Sequence, residues 1–139
     1  MKAIVVGCGR VGAALATELK SVGWDVAVID EREEALGRLG ENWTGEFYVG
    51  HGMDVPLLKS AGIEAADAVV VTTDGDNTNI LIAQVAQRKF NVSSVVVRLL
   101  DPRRAEFYRS LGLNVVCPTS SAIAGLKAAV LGDASVEAA

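Results

Sequence analysis

The opening run Ala3-Ile4-Val5-Val6-Gly7-Cys8-Gly9-Arg10-Val11-Gly12 limits the fold of this chain more than any other stretch. A short β-branched run ends in a full G-x-G-x-x-G, and helix-forming residues follow from Arg10. The glycine pattern is weak on its own, and it acquires a mechanical meaning at a strand-to-helix junction. Gly7 permits the tight turn, Gly9 lets backbone approach a pyrophosphate, and Gly12 lets the helix pack close to the sheet. The helix start then offers unpaired N–H groups and a partial positive charge to phosphates. A turn that simply needs glycines is the plainer alternative.

The rest of the chain alternates in the same way. Strands are expected at 3–6, 26–29, 47–49, 68–71, 95–97 and 115–117. Helices are expected at 10–22, 33–39, 55–61, 76–90 and 102–111, the one at 76–90 being the longest. A last helix is expected to start at a Thr119 or Ser120 cap and run to Leu131. Its Ile123, Leu126 and Val130 would form one stripe, either packed within the chain or against a second copy. Six apolar strands alternating with helices predict an α/β, Rossmann-like, doubly wound six-stranded parallel sheet. At 139 residues the chain fits a single domain of ~100–150 residues, here 1–131, with a flexible tail at 132–139. That length leaves no room for a separate substrate domain.

In such a sheet, ligands bind at the carboxyl ends of the strands. Asp30 ends the second strand, eighteen residues after Gly12, where a carboxylate accepts from both adenosine ribose hydroxyls and repels a 2′-phosphate. This favours NAD over NADP, although Arg32 lies near enough to receive such a phosphate. Glu31 is either solvated or shares the ribose. Arg10 places a cation at a helix N-terminus, which is unfavourable unless an anion binds there. Thr72, Thr73 and Asp74 follow the fourth strand, across the switch point from the glycine loop. They can contact the ligand, while Asp74 or Asp76 can equally cap the next helix. Asn79 starts that helix and is placed to face the same cleft. Arg98 ends the fifth strand, placed for a phosphate or for Asp101. His51, the lone histidine, borders the adenine end or sits in a surface loop. Cys8 lacks the nearby base that a nucleophile needs, and Cys117 reads as buried filler.

A formal net charge of −4 disfavours nucleic acid as a partner. Two cysteines make no disulfide framework and suit a reducing cytoplasm. No apolar run approaches the ~20 residues of a membrane span, and the run before Cys8 is too short for a signal peptide. Any membrane role is therefore expected to come through a partner.

Further runs add to the glycine loop: Val28-Ile29-Asp30, Gly50-His51-Gly52, Ala61-Gly62-Ile63-Glu64-Ala65-Ala66-Asp67-Ala68, Thr72-Thr73-Asp74-Gly75-Asp76-Asn77-Thr78-Asn79, Val97-Arg98 and Asp101-Pro102. Together they resemble the nucleotide-binding regulatory domain of Trk/Ktr-type potassium transporters and potassium channels, the KTN or RCK N-terminal domain. The resemblance covers about residues 1–131. It implies a non-enzymatic role: binding NAD(H) or ATP/ADP, assembling as a homodimer or ring-like oligomer, and gating a membrane-embedded potassium-translocating subunit. The domain would then be cytoplasmic, held at the inner face of the membrane by that partner. By matching position, the resemblance puts Gly7, Cys8, Gly9, Arg10 and Val11 on the pyrophosphate and Asp30 on the ribose. Thr73, Asp74 and Arg98 would complete the pocket. The Gly-His-Gly form around His51 resembles the Trk branch, which leans the ligand toward NAD(H). Many family members continue into a smaller C-terminal domain, so the chain is expected to be a piece of a longer protein or to work with another chain.

The competing readings are a small NAD-dependent oxidoreductase, a methyltransferase, and an interaction domain with an empty nucleotide fold. The first lacks a Tyr-x-x-x-Lys pair, since neither Tyr48 nor Tyr108 has lysine four residues on. The second needs an extra antiparallel strand that nothing after Val115 suggests.

Overall fold

β-Branched and small apolar residues fill pleated positions that are buried on both faces, and the strands of this chain are built from them. In the computed structural model, which describes residues 1–132, they are β1 (Lys2–Val6), β2 (Asp25–Asp30), β3 (Glu46–Val49), β4 (Ala68–Val71), β5 (Ser94–Arg98) and β6 (Asn114–Val116). They form one sheet in the order β3-β2-β1-β4-β5-β6 with every pairing parallel. The expected Rossmann-like sheet is the observed one. The chain winds outward from β1 in both directions, so β1 and β4 flank the switch point.

Alternation along β1 divides the core. Val5 faces a smaller cluster with Val26, Val28, Cys8, Ala13, Ala16, Ala35 and Leu39. Ile4 and Val6 face a larger one with Ile29, Leu58, Ile63, Val69, Val71, Ile82 and Val97. Helix α1 (Arg10–Ser21) and a 3-10 segment, Glu33–Leu39, cover the first face. Helices α2 (Val55–Ser60), α3 (Asp76–Gln84) and α4 (Pro102–Ser110) cover the second. On the first face Val70 and Val96 stay only half-buried, so the cover expected on both sides is incomplete beyond β1.

Several elements differ from the sequence reading. On α1, Gly12, Ala13 and Ala16 are buried with Leu19 packed beside them, while Val11 is exposed. Small residues face inward because the helix lies close to the sheet. The helix expected over 76–90 is α3 followed by a π-helical turn, Val85–Lys89, with Arg88 and Lys89 at its carboxyl end, where cations suit the helix dipole. Ile82, Ala83 and Ala86 fill the core there, whereas Leu81 is exposed. The longest α-helix is instead α5 (Pro118–Leu131), which begins at Pro118 rather than at a Thr119 or Ser120 cap. Ile123, Leu126 and Val130 on α5 are exposed, so they form no packed face among the described residues. The tail expected at 132–139 lies outside the described residues from position 133 onward. Among the described residues, no helix is long and apolar enough to cross a membrane.

Candidate functional site

The carboxyl ends of β1, β2, β3 and β4 converge on a cleft of about 440 Å³. The glycine loop forms its floor. Gly7 adopts φ +101°, and a Cβ there would meet the Thr72 carbonyl oxygen at 2.7 Å, so only glycine fits the crossing at the switch point. A Cβ on Gly12 would lie 1.9 Å from the Gly7 carbonyl oxygen. The close approach expected of Gly12 is therefore chiefly to its own loop. A Cβ on Gly9 would meet nothing within 4 Å, and Gly9 lines the cleft. Gly9 is also the N-cap of α1 and supplies no side-chain cap, and the first turn carries no acid. The amides at this helix end therefore lack a side-chain acceptor and suit an anion.

Cys8 is held at three points. Its N–H donates to Asp30 Oδ2 at 2.8 Å, its thiol donates to the Ala35 carbonyl at 3.3 Å, and its carbonyl accepts from Arg38 Nη1 at 3.0 Å. Burial chiefly, and then the Asp30 carboxylate, push the thiol above its ordinary value, against a smaller downward pull from Arg38. Cys8 is thus a protonated structural donor, and its lining backbone is what it offers the cleft. Asp30 Oδ1 accepts from the Arg32 N–H at 2.8 Å, so each carboxylate oxygen holds one amide and keeps further lone pairs for other donors.

Glu31 and His51 meet at the rim, Oε1 to Nε2 at 3.3 Å. His51 Nδ1 accepts from the Met53 N–H at 3.0 Å, which places the neutral imidazole proton on Nε2, toward Glu31. Across the switch point, Thr72 donates its hydroxyl to the Gly7 carbonyl at 3.1 Å and so ties β4 to the glycine loop.

The cleft brings together Gly7, Cys8, Gly9, Arg10, Asp30, Glu31, His51, Thr72, Thr73 and Asp74 from the sequence reading. Val11, Gly12 and Arg98 do not line it. Arg98 instead turns inward: Nη2 donates to the Thr72 carbonyl at 2.9 Å and the Thr73 carbonyl at 3.1 Å, and it lies 3.8 Å from Asp74 rather than beside Asp101. Asn79, fully buried, also misses the cleft. Its amide donates to the Thr73 and Arg98 carbonyls, both at 2.9 Å, and its oxygen takes the Thr73 N–H at 3.1 Å. The pair holds the β4 turn from beneath. Asp76 is no cap either: its buried carboxylate accepts the Leu100 and Asp101 amides at 2.8 and 3.0 Å. Gly75 is the N-cap of α3.

Sequence reasoning passed over Arg38, which lines the cleft from the 3-10 segment. Its place on a short exposed helical segment carried no motif, and only its reach back to Cys8 reveals it. Arg32 lines the cleft as well. Ion pairs among the described residues engage Lys2, His51, Arg98 and Arg104, and none engages Arg10, Arg32 or Arg38. Three arginines without carboxylate partners therefore ring a cleft that already holds the positive end of α1.

A doubly wound parallel sheet with a glycine loop at its switch point defines a Rossmann-type domain of the nucleotide-binding class. The sequence profile of the TrkA-N domain matches residues 3–119, and the chain belongs to that family. It is 46% identical over 116 residues to the Trk system potassium uptake protein TrkA of Streptomyces coelicolor, covering 84% of this chain and 52% of that protein. The chain thus spans about half the length of that relative. Among solved structures, the TrkA-N domain of the inner membrane protein ybaL from Escherichia coli superposes with a TM-score of 0.80 at 21% identity, covering 94% of this chain and 96% of that one. The Kef C-terminal domain of Shewanella denitrificans, in an AMP-bound form, gives 0.79 at 24% identity, covering 97% and 84%. The GsuK channel bound to NAD gives 0.73 at 24%, covering 95% of this chain and 22% of that one. At these identities the structural likenesses establish the fold.

Proposed function

We propose that this chain is the nucleotide-sensing domain of a potassium uptake system. It binds an adenine nucleotide, NAD(H) or ATP/ADP, in the cleft, and its occupancy biases the opening of a membrane-embedded potassium-translocating subunit. The observation that carries this reading is the ligand-ready glycine loop. The Cys8 amide is tied to Asp30, α1 is uncapped, and three unpaired arginines surround the cleft. Gly7, Gly9, Arg10 and the first amides of α1, with Val11 and Gly12 behind them, take the diphosphate; Asp30 takes the ribose. Glu31 and His51 border the adenine end, and Thr72, Thr73 and Asp74 close the far side on the Arg98–Asn79 support. An NAD-bound and an AMP-bound structure among proteins of the same fold support an adenine ligand.

Binding without catalysis is the role we assign. Two observations support it: the Cys8 thiol is buried and bonded to the Ala35 carbonyl, and His51 sits at the exposed rim between Glu31 and the Met53 amide. The name of the Streptomyces relative supports potassium as the ion, and the location we assign is the cytoplasmic face of the membrane, reached through the partner. The exposed apolar residues of α5 support assembly of the domain as a homodimer or ring. A ligand gates only by binding one assembly shape better than another.

Calorimetric titration with NADH, NAD, ATP and ADP tests the binding. Saturable binding of at least one, weakened about a hundredfold in Asp30→Ala and without turnover, is the expected result. No binding of any of the four overturns the sensing role.

A further inference from the structure

We propose that Arg38 is a phosphate-side positioning and binding residue: it fixes the Cys8 carbonyl of the glycine loop and directs its charge and remaining N–H donors at the diphosphate of the bound nucleotide. The inference rests on the nucleotide reading above. Three observations carry it. Arg38 Nη1 donates to the Cys8 carbonyl at 3.0 Å, thirty residues away in sequence, so the guanidinium lies against the loop that frames the cleft. Arg38 and Arg10 line both the cleft and an adjoining groove along α1, so the two guanidiniums share the rim at the helix N-terminus. No carboxylate of the described residues pairs with either.

The physical consequence is twofold. A trans peptide points its C=O and the next N–H in opposite directions. Anchoring the Cys8 carbonyl therefore fixes the direction of the Gly9 amide before a ligand arrives. The same bond neutralises part of the carbonyl's negative charge beside a site meant for an anion. One donor of the guanidinium fork is spent on Cys8, and the others and the full charge remain for a phosphate oxygen.

The test compares wild-type chain with Arg38→Met and Arg38→Lys by equilibrium dialysis against ADP, NADH and adenosine, the last lacking any phosphate. Arg38→Met is expected to weaken ADP and NADH by about tenfold or more, as for loss of a charge-assisted contact, with adenosine nearly unchanged. Arg38→Lys, which keeps the charge and loses the fork, is expected to recover part of that loss. ADP binding should also become less sensitive to salt in Arg38→Met. Equal weakening of ADP and adenosine overturns the proposal, since Arg38 would then merely shape the cleft; so does unchanged ADP binding. If Arg38→Met does not fold, Arg38→Lys decides alone. A few-fold loss confined to the phosphorylated ligands supports the proposal, and equal affinities overturn it. Wild-type chain that binds neither ADP nor NADH overturns the nucleotide reading itself, and this inference with it.

Discussion

The Cys8 amide donates to Asp30 Oδ2 across 2.8 Å, so the carboxylate at the tip of β2 holds the glycine loop at the start of α1. Asp30 thus shapes the floor of the cleft as well as standing at its ribose end. Asp30→Ala should leave the Cys8 and Arg32 amides without their acceptor and cost about 1–3 kcal/mol of stability. It should also weaken nucleotide binding by about a hundredfold. Asp30→Asn keeps one oxygen and should lose less stability than affinity. Urea melts beside titrations of both variants separate the two roles.

Two glycines of the same motif should behave oppositely. Gly12→Ala forces a Cβ to 1.9 Å from the Gly7 carbonyl oxygen, a clash with backbone that cannot move aside cheaply. A loss of about 3 kcal/mol or more is expected in a urea melt. Gly9→Ala meets nothing within 4 Å and should melt within about 1 kcal/mol of wild type. Its methyl group projects where the ligand backbone approach is needed, so affinity for NADH or ADP should fall while the fold survives.

Asp76 predicts a stability effect far from the cleft. Its buried carboxylate holds the Leu100 and Asp101 amides and lies 3.9 Å from Arg104, joining α3 to the entry of α4. Asp76→Ala should cost about 2–4 kcal/mol and lower Tm by roughly 10 °C or more. Asp101→Ala removes one N-cap bond, from the Arg103 amide at 3.0 Å, and should cost only about 1 kcal/mol. Differential scanning calorimetry of the pair checks the ranking.

The Cys8 thiol gives a pH dependence with a definite sign. Burial first, and then Asp30, raise it above its ordinary 9.0. The folded chain therefore keeps a proton that the unfolded chain releases. That contribution is intact below the unfolded value and is lost as pH rises through the folded one. Wild type should lose more stability between pH 8 and pH 10 than Cys8→Ala. Tyr48, raised by its hydrogen bond to Glu46, acts in the same direction in both chains, so it cancels in the difference. Equal pH slopes would show that burial does not hold the proton.

The outer face of α5 predicts self-association. Leu126 and Val130 are 69% and 84% exposed on a helix with little of its own surface buried. Leu126→Glu with Val130→Glu should shift sedimentation toward the monomer, and nucleotide affinity should persist if the cleft lies within one chain. Unchanged sedimentation would place the contact elsewhere.

Much of this was legible in the residues themselves. The run from Ala3 to Gly12 prescribes strand, turn and helix locally, and the apolar runs of β2, β4 and β5 carry their burial in their composition. Gly7, Gly9, Arg10 and Asp30 could be assigned to one cleft because motif spacing and sheet topology both point there. The phase of α1 was not legible, because a helical period admits more than one stripe. Packing chose the smallest residues, Gly12, Ala13 and Ala16, where the helix comes nearest the sheet.

The roles of Arg38, Asp76, Asn79 and Arg98 depended on contacts across long sequence separations. Hydrophobic periodicity records which face of an element is buried, and glycine and proline record where the chain turns. Neither records which polar group a side chain will find once distant segments meet. The sequence by itself therefore determined the parallel sheet, the switch point and the glycine loop, all of which follow from local pattern and topology. Only the tertiary structure decided that Arg98 supports the Thr72–Thr73 turn from within, that Asp76 joins α3 to α4, and that Arg38 reaches back to Cys8. Each of those bonds satisfies a polar group beside a neighbour from a distant part of the chain, and folding alone creates that neighbour.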